Sequence, residues 1–212
     1  MNVQRLETSV YCIPTDRPEA DGTFQWASTT LVVVEVTADS GLRGLGFTYG
    51  SAAAATVIHE LLAEVVVGRG LHDVRGAWGA MIAAVRNAGR PGIAATAISA
   101  VDIALWDLHA RATGRPLFQL LGPHRTAVPI YGSGGFTSYS EQELAEQLGD
   151  WVAQGIPRVK MKVGTDWSAR PDIDVRRVRV AREAIGPDAE LFVDANGAYT
   201  VKQAIAQAHE FA

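Results

Sequence analysis

The feature that most restricts the fold of this chain is a change of grammar near residue 125. From there, strand-like and helix-like stretches alternate at a nearly fixed interval. Strands are predicted at 128–131, 159–163 and 191–193, with starts 31 and then 32 residues apart. The intervening helices carry their own punctuation. Ser140 with Glu143 has the spacing of a capping box, Leu144, Leu148 and Trp151 recur on one helical face, and Gly155 ends that helix. Asp172 and Asp174 stand at the start of the next helix, where the dipole favours acids, and Gly186-Pro187 closes it. Thr200 with Gln203 repeats the capping signature, and Val201, Ala204, Ile205 and Ala208 make an apolar face. A (β/α)8 barrel of ~250 residues averages roughly 31 residues per unit, so three consecutive units of one fit the interval. A doubly wound sheet shares the same alternation, and period alone admits both.

The first 124 residues read differently. Residues 3–13 alternate loosely, and 31–36 is a β-branched run that suits a buried strand. Asp39-Ser40-Gly41 supplies a turn, and 42–49 returns as a second strand, so a hairpin is expected over 29–49. Between the first strand and this hairpin, the polar segment 14–26 is expected to be a mobile surface loop, with Phe24 and Trp26 near its end. Anchoring of these aromatics to the core accounts for them equally well. Gly41, Gly44 and Gly46 do not mark a dinucleotide site, because their order is G-x-x-G-x-G and more strand follows them. Residues 51–113 are predicted helical. The stripe Ile98, Val101, Leu105 and Leu108 defines the last helix, and Gly114 and Pro116 terminate it.

Two strand ends carry the chemistry. In V-K-M-K-V, alternation places Lys160 and Lys162 on one face and Val159, Met161 and Val163 on the other. Two ammonium groups directed to one interior face are expected to depress the pKa of at least one of them, which is how a lysine becomes a general base. An edge strand with solvated lysines is the bland alternative. In L-F-V-D-A-N-G, the same alternation puts Asp194 and Asn196 on one face at a strand's C-terminal end. Aspartate is a hard oxygen ligand suited to Mg²⁺, although Asp-Ala-Asn-Gly is also good turn chemistry.

Three motifs in order resemble one family. The segment 97–122, with Asp102, Leu105, Asp107, Gly114, Pro116, Leu120, Leu121 and Gly122, resembles the signature helix of the mandelate racemase and muconate lactonizing enzyme family, within the enolase superfamily. KMKVG (160–164) resembles the family's Lys-x-Lys strand, and VDANGAY (193–199) resembles its first metal-ligand strand. The resemblance implies an α+β N-terminal capping domain over residues 1–124, followed over 125–212 by the first three βα units of a (β/α)8 TIM-type barrel. It implies Mg²⁺ gripping a small-molecule carboxylate substrate, an acid sugar or hydroxy acid, whose α-proton is removed to give an enediolate. By position Lys162 would be the base, Lys160 its modulator or a carboxylate contact, Asp194 the first metal ligand and Asn196 either a support behind the metal ligands or a substrate contact. Capping loops at about 14–27 and 47–52 would close over the substrate, which makes Trp26 and Tyr49 candidate substrate contacts. An acid-sugar dehydratase or racemase is the leading expectation, and a cycloisomerase or epimerase the alternative. The family also implies a homo-oligomer for the full-length form.

Several classes are set aside. The net charge is −4 and the basic residues are dispersed, so no nucleic-acid footprint is expected. Arg176, Arg177, Arg179 and Arg182 are read as a solvated helix face. Cys12 is the lone cysteine, no secretory leader or membrane span is read, and a cytoplasmic protein is expected. The five histidines fall away from strand ends. Three strands cannot close a barrel, so the chain is expected to be the N-terminal part of a longer enzyme, with an inactive fragment as the alternative from another class.

Overall fold

β-Branched residues at every second position build the first sheet. β1 (Val3–Ala20), β2 (Gln25–Ala38) and β3 (Arg43–Tyr49) lie in that order. β2 and β3 pair antiparallel, with Leu31 opposite Tyr49 and Thr37 opposite Arg43, which is the hairpin expected from the turn at Asp39-Ser40-Gly41. The inward residues Val32, Val34 and Val36 are fully buried. The computed structural model describes residues 1–212, which group as Met1–Pro14 with Ser28–Thr126 and as Thr15–Ala27 with Ala127–Ala212.

In the first unit the chain continues through α1 (Ala53–Val57), a π-helical turn (Ile58–Leu62), α2 (Ala63–Val66), α3 (Val74–Ala84), α4 (Ile93–Thr113) and α5 (Leu117–Leu120). α4 lies directly on β3. A Cβ on Gly46 would sit 2.0 Å from the Ala100 carbonyl oxygen, and one on Gly44 2.2 Å from that of Ala104, so only glycine permits the approach. The Asp107 carboxylate on α4 also accepts the Leu45 N–H at 2.8 Å, occupying a donor on an outer strand of the sheet. By length and hydropathy α4 is the one helix that could cross a membrane, a property the sequence reading did not flag. Half of its most apolar stretch is buried, and Ala97, Ala100, Val101 and Leu108 belong to the core of this unit. Gly114 at φ 65° caps it, as its sequence position foretold.

The segment 14–26 is not a mobile loop. β1 runs to Ala20 and β2 starts at Gln25, leaving a short turn. Asp21 pins that turn: its Oδ1 accepts from Thr23 N at 2.7 Å, Thr23 Oγ1 at 3.0 Å and Phe24 N at 2.8 Å. The tip also bonds within the second unit, where Thr137 N donates to Ala20 O at 2.8 Å and Trp167 N to Gly22 O at 3.0 Å.

The second unit holds three parallel strands, β4 (Gly132–Ser133), β5 (Arg158–Lys162) and β6 (Glu190–Asp194), each followed by helix: α6 (Glu141–Ala153), α7 (Thr165–Ser168) with α8 (Pro171–Ile185), and α9 (Val201–Phe211). Both predicted capping boxes form, at Ser140/Glu143 and Thr200/Gln203. Leu144, Leu148, Val159, Met161, Val163, Val178 and Ala181 make the core.

Two sequence expectations differ here, and one apolar face stands uncovered. Residues 128–131 are not a strand. Val128 and Ile130 are exposed, and the ladder starts only where Gly132 meets Val159, so the apolar run itself has no strand partner. The four arginines are not all solvated, since Arg177 is buried. The apolar stripe of α9 is uncovered, with Val201 77% and Ile205 57% exposed. The helix period is present, but nothing in these 212 residues lies over that face.

Candidate active site

The strict alternation of β5 decides where its charges go. Val159 and Met161 are fully buried against the helices, which forces Lys160 and Lys162 onto the opposite face. In the parallel register Lys162 lies opposite Asp194, and Lys160 opposite Phe192. Four side chains therefore meet at the C-terminal ends of two neighbouring strands. Lys160 Nζ donates to Asp194 Oδ2 at 2.9 Å, and Lys162 Nζ donates to the same oxygen at 2.8 Å. Lys162 Nζ also reaches Asn196 Oδ1 at 2.6 Å. Asp194 Oδ1 accepts the Asn196 N–H at 3.0 Å, and Asn196 itself sits at φ 48°, in the left-handed region that asparagine tolerates. The lysine side chains are only 15% and 12% exposed.

The electrostatics reverse one expectation. Burial is the largest single influence on Lys160 and acts to lower its pKa, but the hydrogen bond to Asp194, with the further effects of Lys162, the Asp194 charge and Tyr131, outweighs it and holds the group above its ordinary value. Like-charge repulsion was expected to dominate. The carboxylate placed between the two ammonium groups prevents that. Partial burial alone would raise the Asp194 pKa, but the bonds from Lys162 and Lys160 hold it well below the usual carboxylate range. An aspartate kept ionised is in the form that binds a hard cation. It is the only carboxylate in the cluster, and no group of three His, Cys, Asp or Glu side chains is arranged to hold a metal.

Neither aromatic candidate hydrogen-bonds to a member of this cluster. The Trp26 indole N–H donates to Glu19 Oε2 at 2.8 Å, and the ring packs edge-on to Phe136 at 5.6 Å, so anchoring is what it does here. Tyr49 ends β3 in the first unit and is exposed. Phe192 was missed. It shares the Lys160 face and meets Tyr131 edge-on at 5.8 Å, and the alternation in L-F-V-D that located Asp194 also locates it.

Also missed were two buried groups on α8. Asp174 is fully buried and takes four donors: Gly164 N at 2.9 Å, Tyr199 Oη at 2.9 Å, Thr165 Oγ1 at 2.8 Å and Thr165 N at 3.3 Å. One turn later, Arg177 donates to the carbonyls of Tyr139 at 2.5 Å, Phe136 at 2.7 Å and Gly135 at 3.3 Å. Together they hold the segments that follow all three strands. Gly22 of the hairpin tip lies against the same region. A Cβ there would come within 2.8 Å of the Val163 and Gly164 carbonyls and of Ala198 Cβ. The histidines are elsewhere: His72 and His109 bond each other at 3.0 Å in the first unit, and His59 bonds Thr8.

Comparison with known proteins bears on this arrangement. Residues 7–122 match the family model described as mandelate racemase/muconate lactonizing enzyme, N-terminal domain, and residues 143–212 match the enolase C-terminal domain-like model. The 3,6-anhydro-alpha-L-galactonate cycloisomerase of Streptomyces coelicolor is 36% identical, over 99% of this chain and 59% of its own length. A mandelate racemase/muconate lactonizing enzyme-like protein from Rubrobacter xylanophilus superposes with a TM-score of 0.95 at 55% identity, over 100% of this chain and 57% of its own. The L-talarate/galactarate dehydratase of Salmonella typhimurium, solved with Mg and L-lyxarohydroxamate, superposes with a TM-score of 0.87 at 29% identity, over 98% and 55%. The chain thus spans somewhat more than half the length of each of these proteins.

Proposed function

Because this chain belongs to the mandelate racemase/muconate lactonizing enzyme family of the enolase superfamily, we propose that it is the part of an acid-sugar dehydratase or racemase that removes the proton α to a substrate carboxylate, with Lys162 as the base. Residues 1–124 serve as its capping domain and 125–212 as the opening βα units of a (β/α)8 barrel. The observation that carries the reading is the convergence of Lys160, Lys162, Asp194 and Asn196 at adjacent strand ends. Barrel enzymes place their chemistry at that end of the strands.

Asp194 fits one ligand position for Mg²⁺. It is ionised, a third exposed, and its Oδ1 carries a single N–H, leaving a lone pair free. Mg²⁺ is usually held by one or two carboxylates with substrate and water oxygens, so a lone Asp194 supplies part of a site and not the whole of one. When bound, the ion would supply charge stabilisation to the enediolate. The chain's own groups do the rest. Lys160, held as an ammonium by Asp194, neutralises the substrate carboxylate. Asn196 Oδ1 steers Lys162 Nζ, which takes the α-proton once it is unprotonated. Phe192 and Tyr131 form an apolar wall beside Lys160. The substrate class is an acid sugar, the assembly a homo-oligomer and the compartment cytoplasmic in this reading.

A cycloisomerase is the second reading, favoured by the 36% identity to a galactonate cycloisomerase. It shares the first step. The test, made in the full-length enzyme, is exchange of the α-proton of galactarate in D₂O with Mg²⁺, monitored by NMR. Lys162→Ala is expected to slow exchange by about 10²–10⁴-fold, the usual worth of a positioned base. Exchange at an unchanged rate would remove Lys162 from that role.

A further inference from the structure

We infer that Asp174 is a positioning residue, one that fixes the distance between the strand end carrying Lys162 and the strand end carrying Asn196. The inference rests on reading the four-residue cluster as the site. Asp174 lies on α8, outside the cluster, yet it grips both neighbouring segments. Gly164 and Thr165 begin two residues beyond Lys162, and Tyr199 lies three residues beyond Asn196. Gly164 N and Tyr199 Oη meet on a single oxygen, Oδ2, so that atom is a direct bridge between the two segments. Other links there include the backbone bond from Val163 N to Asp194 O, at 3.1 Å, a contact between the Gly164 backbone and Tyr199, and the lysine bonds to Asp194 and Asn196.

The chemistry of the group argues for this role. Asp174 is fully buried and forms no ion pair; all four of its partners are neutral donors. A buried carboxylate satisfied by neutral donors, with the Arg177 guanidinium nearby but not bonded to it, is often no more stabilising than an apolar side chain of similar volume. What it does supply is an acceptor on both oxygens. Two backbone N–H groups, of Gly164 and Thr165, point at opposite oxygens. An asparagine can face only one of them with its carbonyl, and its NH₂ would oppose the other N–H in either flip. The hydroxyls of Thr165 and Tyr199 could reverse their roles, but a backbone N–H cannot. Loss of the carboxylate should therefore shift the segment after β5 against the segment after β6, and with it the 2.6 Å contact between Lys162 Nζ and Asn196 Oδ1.

The chain has three lysines, Lys160, Lys162 and Lys202, which makes a direct reading of the cluster practical. Lysine-selective ¹³C,¹⁵N labelling gives one side-chain Cε–Nζ signal for each. Lys202 is exposed and serves as the internal reference. Asp174→Asn and Tyr199→Phe are compared with the unaltered protein, with circular dichroism confirming that each is folded. Both variants are expected to move the Lys162 signal by more than a linewidth, Asp174→Asn further, while Lys202 stays in place. A purely structural Asp174 would lower the melting temperature and leave the lysine signals of the folded protein unmoved, and that result would overturn the inference. If Asp174→Asn does not fold, Tyr199→Phe decides, since it removes one half-buried hydroxyl and keeps the ring. Turnover is not read, so a failure of Lys162 as the base and a failure of this coupling are separate results.

Discussion

Asp194 gives one oxygen to two ammonium groups, and that sharing sets the pH behaviour of the cluster. Its folded pKa lies below the ordinary carboxylate value of about 3.9, so its ionised form contributes stability above that pH. The contribution is lost as pH falls through the depressed value. Lys160 has the opposite sign. Its folded pKa is raised, so its contribution is complete below its unfolded value of about 10.4 and is lost as pH rises through the folded one. The expected outcome is that Asp194→Asn unfolds at lower urea than the unaltered protein at pH 6, and that the gap narrows toward pH 2. A gap of constant size would show that the two lysine bonds add nothing to stability. At this scale the sequence was most legible where the argument was local. Period-two alternation placed Lys160, Lys162 and Asp194 correctly, because two buried valines and a methionine leave β5 no other register. It misjudged the lysine pKa direction, since the partner that sets it stands 34 residues away. Asp174 and Arg177 were illegible for a related reason. An acid in a first helical turn and an arginine in a basic run look solvated until the strand-end loops are folded over them.

Elements were legible in proportion to how much of their definition lies within one turn. Ser140 and Glu143 exchange bonds across a single capping box, with Glu143 N to Ser140 Oγ at 3.2 Å and Ser140 N to Glu143 Oε2 at 2.9 Å. Ser140→Ala should cost about 1 kcal/mol of unfolding free energy, measured by denaturant titration. The β3–α4 contact could not be read from local pattern, because Gly44 and Gly46 look like hairpin glycines. Their backbone φ values are ordinary, and what they provide is space. Gly46→Ala would drive a methyl into the Ala100 carbonyl, and a loss of at least about 1–3 kcal/mol is expected by the same titration. A variant as stable as the original would mean that α4 can slide on the sheet. β4 failed as a prediction because a strand exists only where it has a partner. The apolar run at 128–131 has none, and Gly132 with Ser133 does.

For the molecule as a whole, the exposed apolar stripe on α9 is the main uncovered apolar helix face. Val201 and Ile205 present apolar surface of the kind that drives association. The double variant Val201→Gln, Ile205→Gln should reduce any concentration-dependent association seen by sedimentation velocity. Association of equal strength would place the sticky surface elsewhere. Charge is distributed unevenly on a larger scale too. The 212 residues carry a net −4, while two ammonium groups and one carboxylate leave the side chains of the strand-end cluster at +1, a positive charge that a bound Mg²⁺ would increase. Were the substrate the acid sugar proposed above, a doubly charged one diffusing in from afar would meet repulsion first and attraction only at close range. The Debye length is about 10 Å at 0.1 M salt, so moderate ionic strength screens the distant field more than the near one. Substrate capture should then quicken as salt is added from very low levels, the reverse of the slowing that a uniformly positive cleft would show.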